Sequence, residues 1–386
     1  MATESIYLDN AATTPVREEV FEAMRPFFGP KFGNPSSTHR FGREARVALD
    51  EARERVAACL GAHADEVSFN SCGTEGDNTA VLCMWRAMRE SGRNAVVTTP
   101  IEHKAVLAAA HEVMHEGGEE RLLDVDGNGV VTDTSFAQHV RDDVAVMSVM
   151  WVNNETGVIQ DVPGLAKRAK ERGVAFHTDA VQAFGKVEID ARTQAFDLLS
   201  ISGHKIGAPK GIGALYIRRG TAFQPLIRGG SQDRGRRAGT ENVAYVVALA
   251  TAAELAVVER EKHWTETERM RDRLQSMLLA AIPDAIVHSA GARRAPHILN
   301  ISVPGTDNES LLMALDLRGI ACSGGSACQS GSVTPSHVLE AMGVAPAIAG
   351  AAIRMSFGPI NTEADVDRVG ELFPKLVAKA RTAAAA

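Results

Sequence analysis

The chain has little cysteine: five residues in 386, an odd number, with no CxxC pair. That excludes a disulfide framework and a cysteine-rich zinc site, and leaves reduced thiols as the expectation. No stretch approaches ~20 uninterrupted apolar residues, so no membrane-spanning helix is expected. An excess of positive charge is missing too. The net charge is −7, and the short run from Arg234 to Arg237 is too small to make a field for nucleic acid or an anionic membrane. The opening "MATESIYLDNAATTP" lacks the basic and apolar regions of a secretory signal, which makes a cytoplasmic location the expectation. Internal repeats are absent, and only the terminal "AAAA" is of low complexity.

What is present is an ordinary globular composition, 45% hydrophobic and 23% charged, in a chain long enough for a large domain and a smaller one. Strand-like and helix-like segments alternate through most of it. "EVSFNS" (66–71) leads into the helical "TEGDNTAVLCMWRAMRES". "NAVVTT" leads into "HKAVLAAAHEVMHEG", and "DVAVMSVMWV" is a continuous apolar run suited to a strand buried on both faces. "VPGLAKRAKERG" then leads to "VAFHTD", "DLLSIS" and "GALYIR". This rhythm predicts an α/β fold with a mainly parallel sheet covered by helices on both faces. Long helical stretches follow from about Thr240 to Ala281, and then a second, smaller α/β block containing "HILNISV" and "AIRMSFG".

Two motif matches lead elsewhere and are set aside. "HEVMH" (111–115) has the metalloprotease spacing, but its predicted helix ends at "EGGEE" and no third ligand motif follows nearby. "DVDGNGVVTDTS" (124–135) begins like a calcium loop, yet Ser135 stands where the bidentate glutamate belongs and a strand-like segment precedes it. A turn rich in Asp, Asn and Gly accounts for the same letters.

The segments that carry chemistry are "FHTDAVQAFG" (176–185) and "SISGHKIGAPKGIGALY" (200–216). Asp179 closes one predicted buried strand and Lys205 follows the next, and strand ends of an open parallel sheet are where ligands bind. Desolvation makes a lysine amine nucleophilic toward an aldehyde. Pyridoxal phosphate needs such a lysine and a carboxylate opposite its ring nitrogen. Taken alone, Asp179 and Lys205 also suit a structural ion pair. "NSCGTEGDN" (70–78) adds a phosphate site, because Gly73 and Thr74 stand where a strand turns into a helix and free backbone N–H groups face outward.

In order and spacing, the chain resembles the class V aminotransferase family of fold-type I pyridoxal-phosphate enzymes, and within it the NifS/IscS-like cysteine desulfurases. The segments that carry the resemblance include "YLDNAATTP" (7–15), "FGNPSSTHRFG" (32–42), "EHKAV" (102–106), "VNNETGVIQD" (152–161), "HTDAVQAFGK" (177–186), "SGHKIGAPKGIGALY" (202–216), "RAGTEN" (237–242), "SGGSAC" (323–328) and "IRMSFG" (353–358). The resemblance implies a mainly parallel seven-stranded sheet in a large cofactor-binding domain at 15–255. Residues 1–14 and 256–386 would form a small domain carrying a cysteine loop at about 321–334.

Carried over residue by residue, it implies that Lys205 holds pyridoxal 5′-phosphate, Asp179 pairs with the ring nitrogen, and Gln182 meets the phenolic oxygen. His103 would stack on the ring and shuttle protons. Gly73, Thr74, Ser202 and His204 would hold the phosphate, joined by Thr240 from a second subunit. Asn154 and Arg354 would bind the substrate carboxylate, which suits the parallel donors of a guanidinium, although a rim arginine would read the same way. The implied partners are L-cysteine, a sulfur acceptor such as an iron–sulfur scaffold, and a second copy of the chain, with no nucleic acid and no membrane. No metal site is implied, beyond room for Cys328 to ligate a cluster transiently together with a scaffold.

Cys328 sits in a stretch, Cys322 to Ser332, in which seven of eleven residues are Gly or Ser. Such composition makes a flexible connection. A desulfurase must bring a thiolate to the substrate sulfur and then carry that sulfur away, so one nucleophile has two destinations. An unperturbed thiol, pKa ~8.5, is mostly protonated at neutral pH, and a neighbour such as His103 would assist it. Cys322, at the strand-like start of the segment, reads as structural. The expected reaction converts L-cysteine to L-alanine: Lys205 takes the Cα proton and Cys328 attacks the sulfur to become a persulfide.

Two residues depart from the family pattern, Cys72 in place of a small Gly or Ala and Gly76 in place of Ser. The chain ends soon after its last predicted helix, which makes scaffold docking through an extended tail doubtful. The rivals are a selenocysteine lyase or an aminotransferase of the same fold, and a non-catalytic sulfur carrier that kept the fold.

Overall fold

The computed structural model describes residues 5–324 and 336–384. Its strands, in chain order, are β1 (Ile6–Tyr7), β2 (Val67–Asn70), β3 (Ala95–Thr98), β4 (Glu119–Leu122), β5 (Val144–Ser148), β6 (Ala175–Asp179), β7 (Leu198–Ser202), β8 (Gly213–Ile217), β9 (Ile286–Val287), β10 (Ile298–Ser302), β11 (Ile320–Ala321) and β12 (Ala352–Ser356). Seven of them form one sheet in the order β2-β8-β7-β6-β5-β3-β4. All neighbours are parallel except those of β8, which runs antiparallel to both β2 and β7. The central strands β3, β5, β7 and β8 are buried at every residue, as strands covered on both faces must be.

One face packs against an apolar core with Leu49, Val56, Phe176, Tyr216 and Leu249; the other packs against a second cluster with Val81, Trp85, Val106 and Val113. The long helix Arg40–Leu60 starts on His39, whose ring accepts from the Gly42 N–H, and stops at Gly61, in the left-handed conformation at φ 64°. Glycine tolerates that conformation without strain, which makes it a common helix terminator. The segment expected as one helix after β2 is divided. A helix at Gly73–Asn78 passes through a wide π-type turn at Thr79–Cys83 into Met84–Met88, with all five residues of the turn buried.

A separate core is built from Ile6 and Leu8, the inner faces of helices Arg260–Ala281 and Glu363–Ala384, and the antiparallel sheet β12-β10-β9. The start of the chain reaches this second core because β1 pairs in parallel with β11, Ile6 opposite Ile320. From there residues 9–14 cross to the carboxyl ends of β6 and β7, so the N-terminal segment straps the two cores together. Among the described residues no helix is long and apolar enough to cross a membrane.

Candidate active site

The strand ends converge on a cleft of about 1060 Å³, solvent in its mouth included. It is lined by Gly73, Thr74, His103, Asn154, Asp179, Gln182, Ser202, His204, Lys205 and Arg354, ten of the twelve candidates from the sequence. Thr240 lies outside the cleft and is exposed. Cys328 lies outside the described residues.

Asp179 ends β6 and is 5% exposed, with its Oδ1 accepting from the Val181 N–H at 2.8 Å. Burial raises its pKa, and neighbouring His103 and Lys205 oppose that rise. Lys205 sits in the short turn after β7. Its ammonium donates to the carbonyls of Ala11 at 2.6 Å and Ala12 at 2.8 Å. The strap therefore positions the amine: Gln182 also donates to Ala11 O, at 2.8 Å, and Thr14 binds the His204 carbonyl through both its N–H and its hydroxyl.

His103 caps the helix Lys104–His115, its Nδ1 accepting from the Ala105 N–H at 3.2 Å. Burial lowers its pKa, with Lys205 adding to the effect and Asp179 opposing it. With Nδ1 used as an acceptor, the neutral form of the ring carries its proton on Nε2. His204 is held neutral by burial, its pKa lowered to about 4, with Nδ1 3.1 Å from the Thr13 hydroxyl.

At the Gly73 end of the cleft, a Cβ on that glycine would stand 2.7 Å from Val181 Cγ2, so only glycine fits without displacing that wall. Ser202 Oγ is buried and has no hydrogen-bond partner among the described residues. An orphaned buried hydroxyl costs free energy unless something completes it, and an anionic ligand in the cleft would.

Arg354 is no rim residue: it is 2% exposed, in the middle of β12. Its guanidinium donates to Asp9 Oδ1 at 2.7 Å and to the Asn154 carbonyl at 2.9 Å. Of its five N–H groups, Nε–H is buried without a partner among the described residues. The chain runs past this arginine immediately before residue 325, since Ser323 and Arg354 exchange backbone hydrogen bonds at 3.1 and 2.6 Å. It re-enters at Ser336, whose hydroxyl donates to Glu155 at 2.5 Å, and His337, whose Nε2 is 2.9 Å from the Glu102 carbonyl. Both ends of the segment that holds Cys328 are thus tied beside the cleft.

Burial pushes the thiols of Cys59 and Cys83 up to about 11 and that of Cys322 to about 12. All three are poor nucleophiles at neutral pH.

Sequence reasoning missed two groups here. Asp77 lines the cleft at 1% exposure, one helical turn beyond Gly73, with its pKa raised first by burial and then by Asp179. Beneath it lies His177, clamped between Ser148 Oγ at 2.8 Å and Ser200 Oγ at 3.0 Å, its pKa lowered by burial to about 3. The signal for His177 was a titratable letter inside an otherwise buried strand; Asp77 shares its helix with exposed Thr74 and half-buried Glu75, so no such signal marks it. Cys72 also lines the cleft. The Gly76 departure has a steric cause, since a Cβ there would meet Ser200 Oγ at 2.9 Å and Asn70 Nδ2 at 3.0 Å.

A mainly parallel sheet with a buried carboxylate at one strand end and a lysine after the next matches the fold-type I class of pyridoxal-phosphate enzymes. The chain belongs to the aminotransferase class-V family, whose model matches residues 6–369. It is 47% identical over 377 residues to the cysteine desulfurase NifS of Azotobacter vinelandii, covering 97% of this chain and 93% of that protein. It is 43% identical to the cysteine desulfurase IscS of Dictyoglomus turgidum, covering 98% of this chain and 95% of that protein. A solved NifS-like protein superposes with a TM-score of 0.91 at 36% identity, covering 97% of this chain and all of the other.

Proposed function

We propose that the chain is a pyridoxal-phosphate-dependent cysteine desulfurase, converting L-cysteine to L-alanine and passing the sulfur through Cys328 to an acceptor. The observation that carries this reading is the convergence of Asp179, Lys205, His103 and Arg354 on one cleft, beside both ends of the segment that contains Cys328. The residues fit the cofactor: Lys205 would hold it covalently, Asp179 would face its ring nitrogen, and Ser202, His204, Thr74 and the Gly73 backbone would take its phosphate. When bound, the cofactor supplies an electron sink for the substrate Cα.

The protein's own residues do the rest. Arg354 binds the carboxylate, assisted by Asn154, and thereby fixes which way the side-chain sulfur points. Lys205 would move the Cα proton. The carbonyls of Ala11 and Ala12 are the acceptors that hold its ammonium form. His103, which lines the cleft, would transfer a proton there. Gln182, anchored to Ala11 O, would meet the phenolic oxygen. Cys328 thiolate attacks the substrate sulfur, the carbon–sulfur bond breaks, and the carbon fragment takes a proton to leave as alanine. Atoms balance: cysteine plus thiol gives alanine plus persulfide.

The large and small units would divide as 15–255 and as 1–14 with 256–386. A homodimer completes the reading. Phe28, Phe32 and Phe41 are 64%, 69% and 46% exposed. Phe28 packs edge-on to Tyr245, close in sequence to exposed Thr240. A second copy covering that patch would receive Thr240 at its phosphate end. The acceptor is an iron–sulfur scaffold or another thio-cofactor pathway component, in the cytoplasm, where the four described cysteines remain free thiols.

The test compares wild type with Cys328→Ala, supplied with L-cysteine and a reductant. Wild type should release alanine and sulfide in equal amounts. The variant should bind cofactor and substrate normally but release almost none of either product. Equal turnover by both would remove Cys328 from the mechanism.

A further inference from the structure

A second crevice, of about 930 Å³ with its mouth included, lies on the other side of the strap, between the two cores. The large core contributes Phe184, Lys186 and the turn Lys205–Gly207. The small side contributes Arg260, Trp264, His297, Phe357 and Ile360. Its volume and aromatic walls are those of a small-molecule site. Its charge is one-sided: Arg17, Lys186, Lys205 and Arg260 line it together with His263 and His297, and no aspartate or glutamate does.

Part of that charge is accounted for elsewhere. Arg17 is clasped by Glu259 at 2.6 and 3.0 Å, and Lys205 by Ala11 and Ala12. Lys186 and Arg260 are different. Lys186 is half-buried, and its ammonium makes no hydrogen bond or ion pair among the described residues. Burial, with Lys205 adding to it, lowers its pKa to about 8. His297, 3% exposed, leaves Nδ1 without a partner among the described residues, its Nε2 being 3.2 Å from Gln182 Oε1. An ammonium left unpaired in an apolar setting is costly, and an anion arriving there removes the cost. The aromatic walls require that the anion carry an apolar body, and the crevice has room for a molecule with one charged head.

We propose that this crevice is a binding site for a small apolar monocarboxylate, its carboxylate seated on Lys186 and its hydrocarbon body against Phe184, Trp264 and Phe357. The site is separate from the substrate carboxylate site at Arg354. An occupant bridges the two cores and touches the turn that carries Lys205, so its binding would be felt at the active site.

Calorimetric titration of the holoenzyme with phenylacetate and with phenylacetamide, the same body without the charge, tests this. Wild type should prefer the carboxylate by roughly tenfold or more, as a charge-assisted contact requires. Lys186→Met should erase the preference, and Ile360→Trp, which fills the crevice from its exposed rim, should weaken both ligands. Arg354→Lys should change neither. Absence of phenylacetate binding, equal affinity for acid and amide, or loss of binding in Arg354→Lys but not in Lys186→Met would overturn the assignment.

Discussion

Arg354→Lys is the most informative single change in the cleft. It keeps the positive charge and removes the planar fork, which a lysine does not reproduce. In the structure that fork already holds Asp9 and the Asn154 carbonyl and has a buried Nε–H in reserve. A substrate carboxylate would take the remaining donors. Hydrogen bonds to charged groups contribute about 1.5–3 kcal/mol each. Losing a two-point contact for a single one, with Asp9 and Asn154 competing for the same ammonium, should therefore cost about 3 kcal/mol. That corresponds to about a hundredfold in kcat/KM for L-cysteine. Cysteamine, which lacks the carboxylate, is the control, because its rate should change far less. The assay is alanine formation from L-cysteine against amine product from cysteamine, with cofactor content and melting temperature measured on the same preparations. A variant within threefold of wild type, or one that loses cysteine and cysteamine equally, would refute the carboxylate role.

The other predictions are independent of that site. His288, 5% exposed and bonded through Nε2 to Ser302 at 2.7 Å, has its folded pKa lowered by burial to about 4. An unfolded imidazole protonates near ~6.5, so this residue costs no stability above that pH and costs it progressively below, about 2 kcal/mol by about pH 5. His288→Gln should flatten the acid-side fall in melting temperature, and an unchanged slope would contradict the assignment. Gly76→Ser, which restores the family's usual residue, should destabilise by about 1–3 kcal/mol through overpacking against Ser200, whose hydroxyl is tied to His177. Urea unfolding reads this directly, and a neutral or stabilising result would mean that Asn70 and Ser200 yield easily.

Much of the cleft was legible in the sequence because its groups stand at strand ends, where a burial pattern stops and a polar letter follows. Asp179 after "FHT" and Lys205 after "SISGH" are of this kind, and the alternation itself sufficed for a mainly parallel sheet. The direction of β8 was not legible. "GALYIR" is as apolar as its neighbours, and a buried strand reads alike whichever way it runs. Nor was the strap, since the carbonyls of Ala11 and Ala12 meet Lys205 across more than 190 positions of chain and main-chain acceptors leave no mark on residue identity. The buried state of Arg354 was equally hidden, because only its tertiary partners Asp9 and Asn154 make burying that charge tolerable. The wide turn at Thr79–Cys83 interrupts a stretch whose apolar spacing suits an unbroken helix.

The account's central claim is that sulfur passes through Cys328. The most direct measurement mixes the holoenzyme with one equivalent of L-cysteine without reductant, alkylates, and sequences every cysteine-containing peptide by mass spectrometry. The account predicts that the Cys328 peptide gains the mass of one sulfur atom while an equal amount of alanine appears. Alanine formed with that sulfur on Cys72 or Cys322, or on no protein cysteine at all, would contradict it.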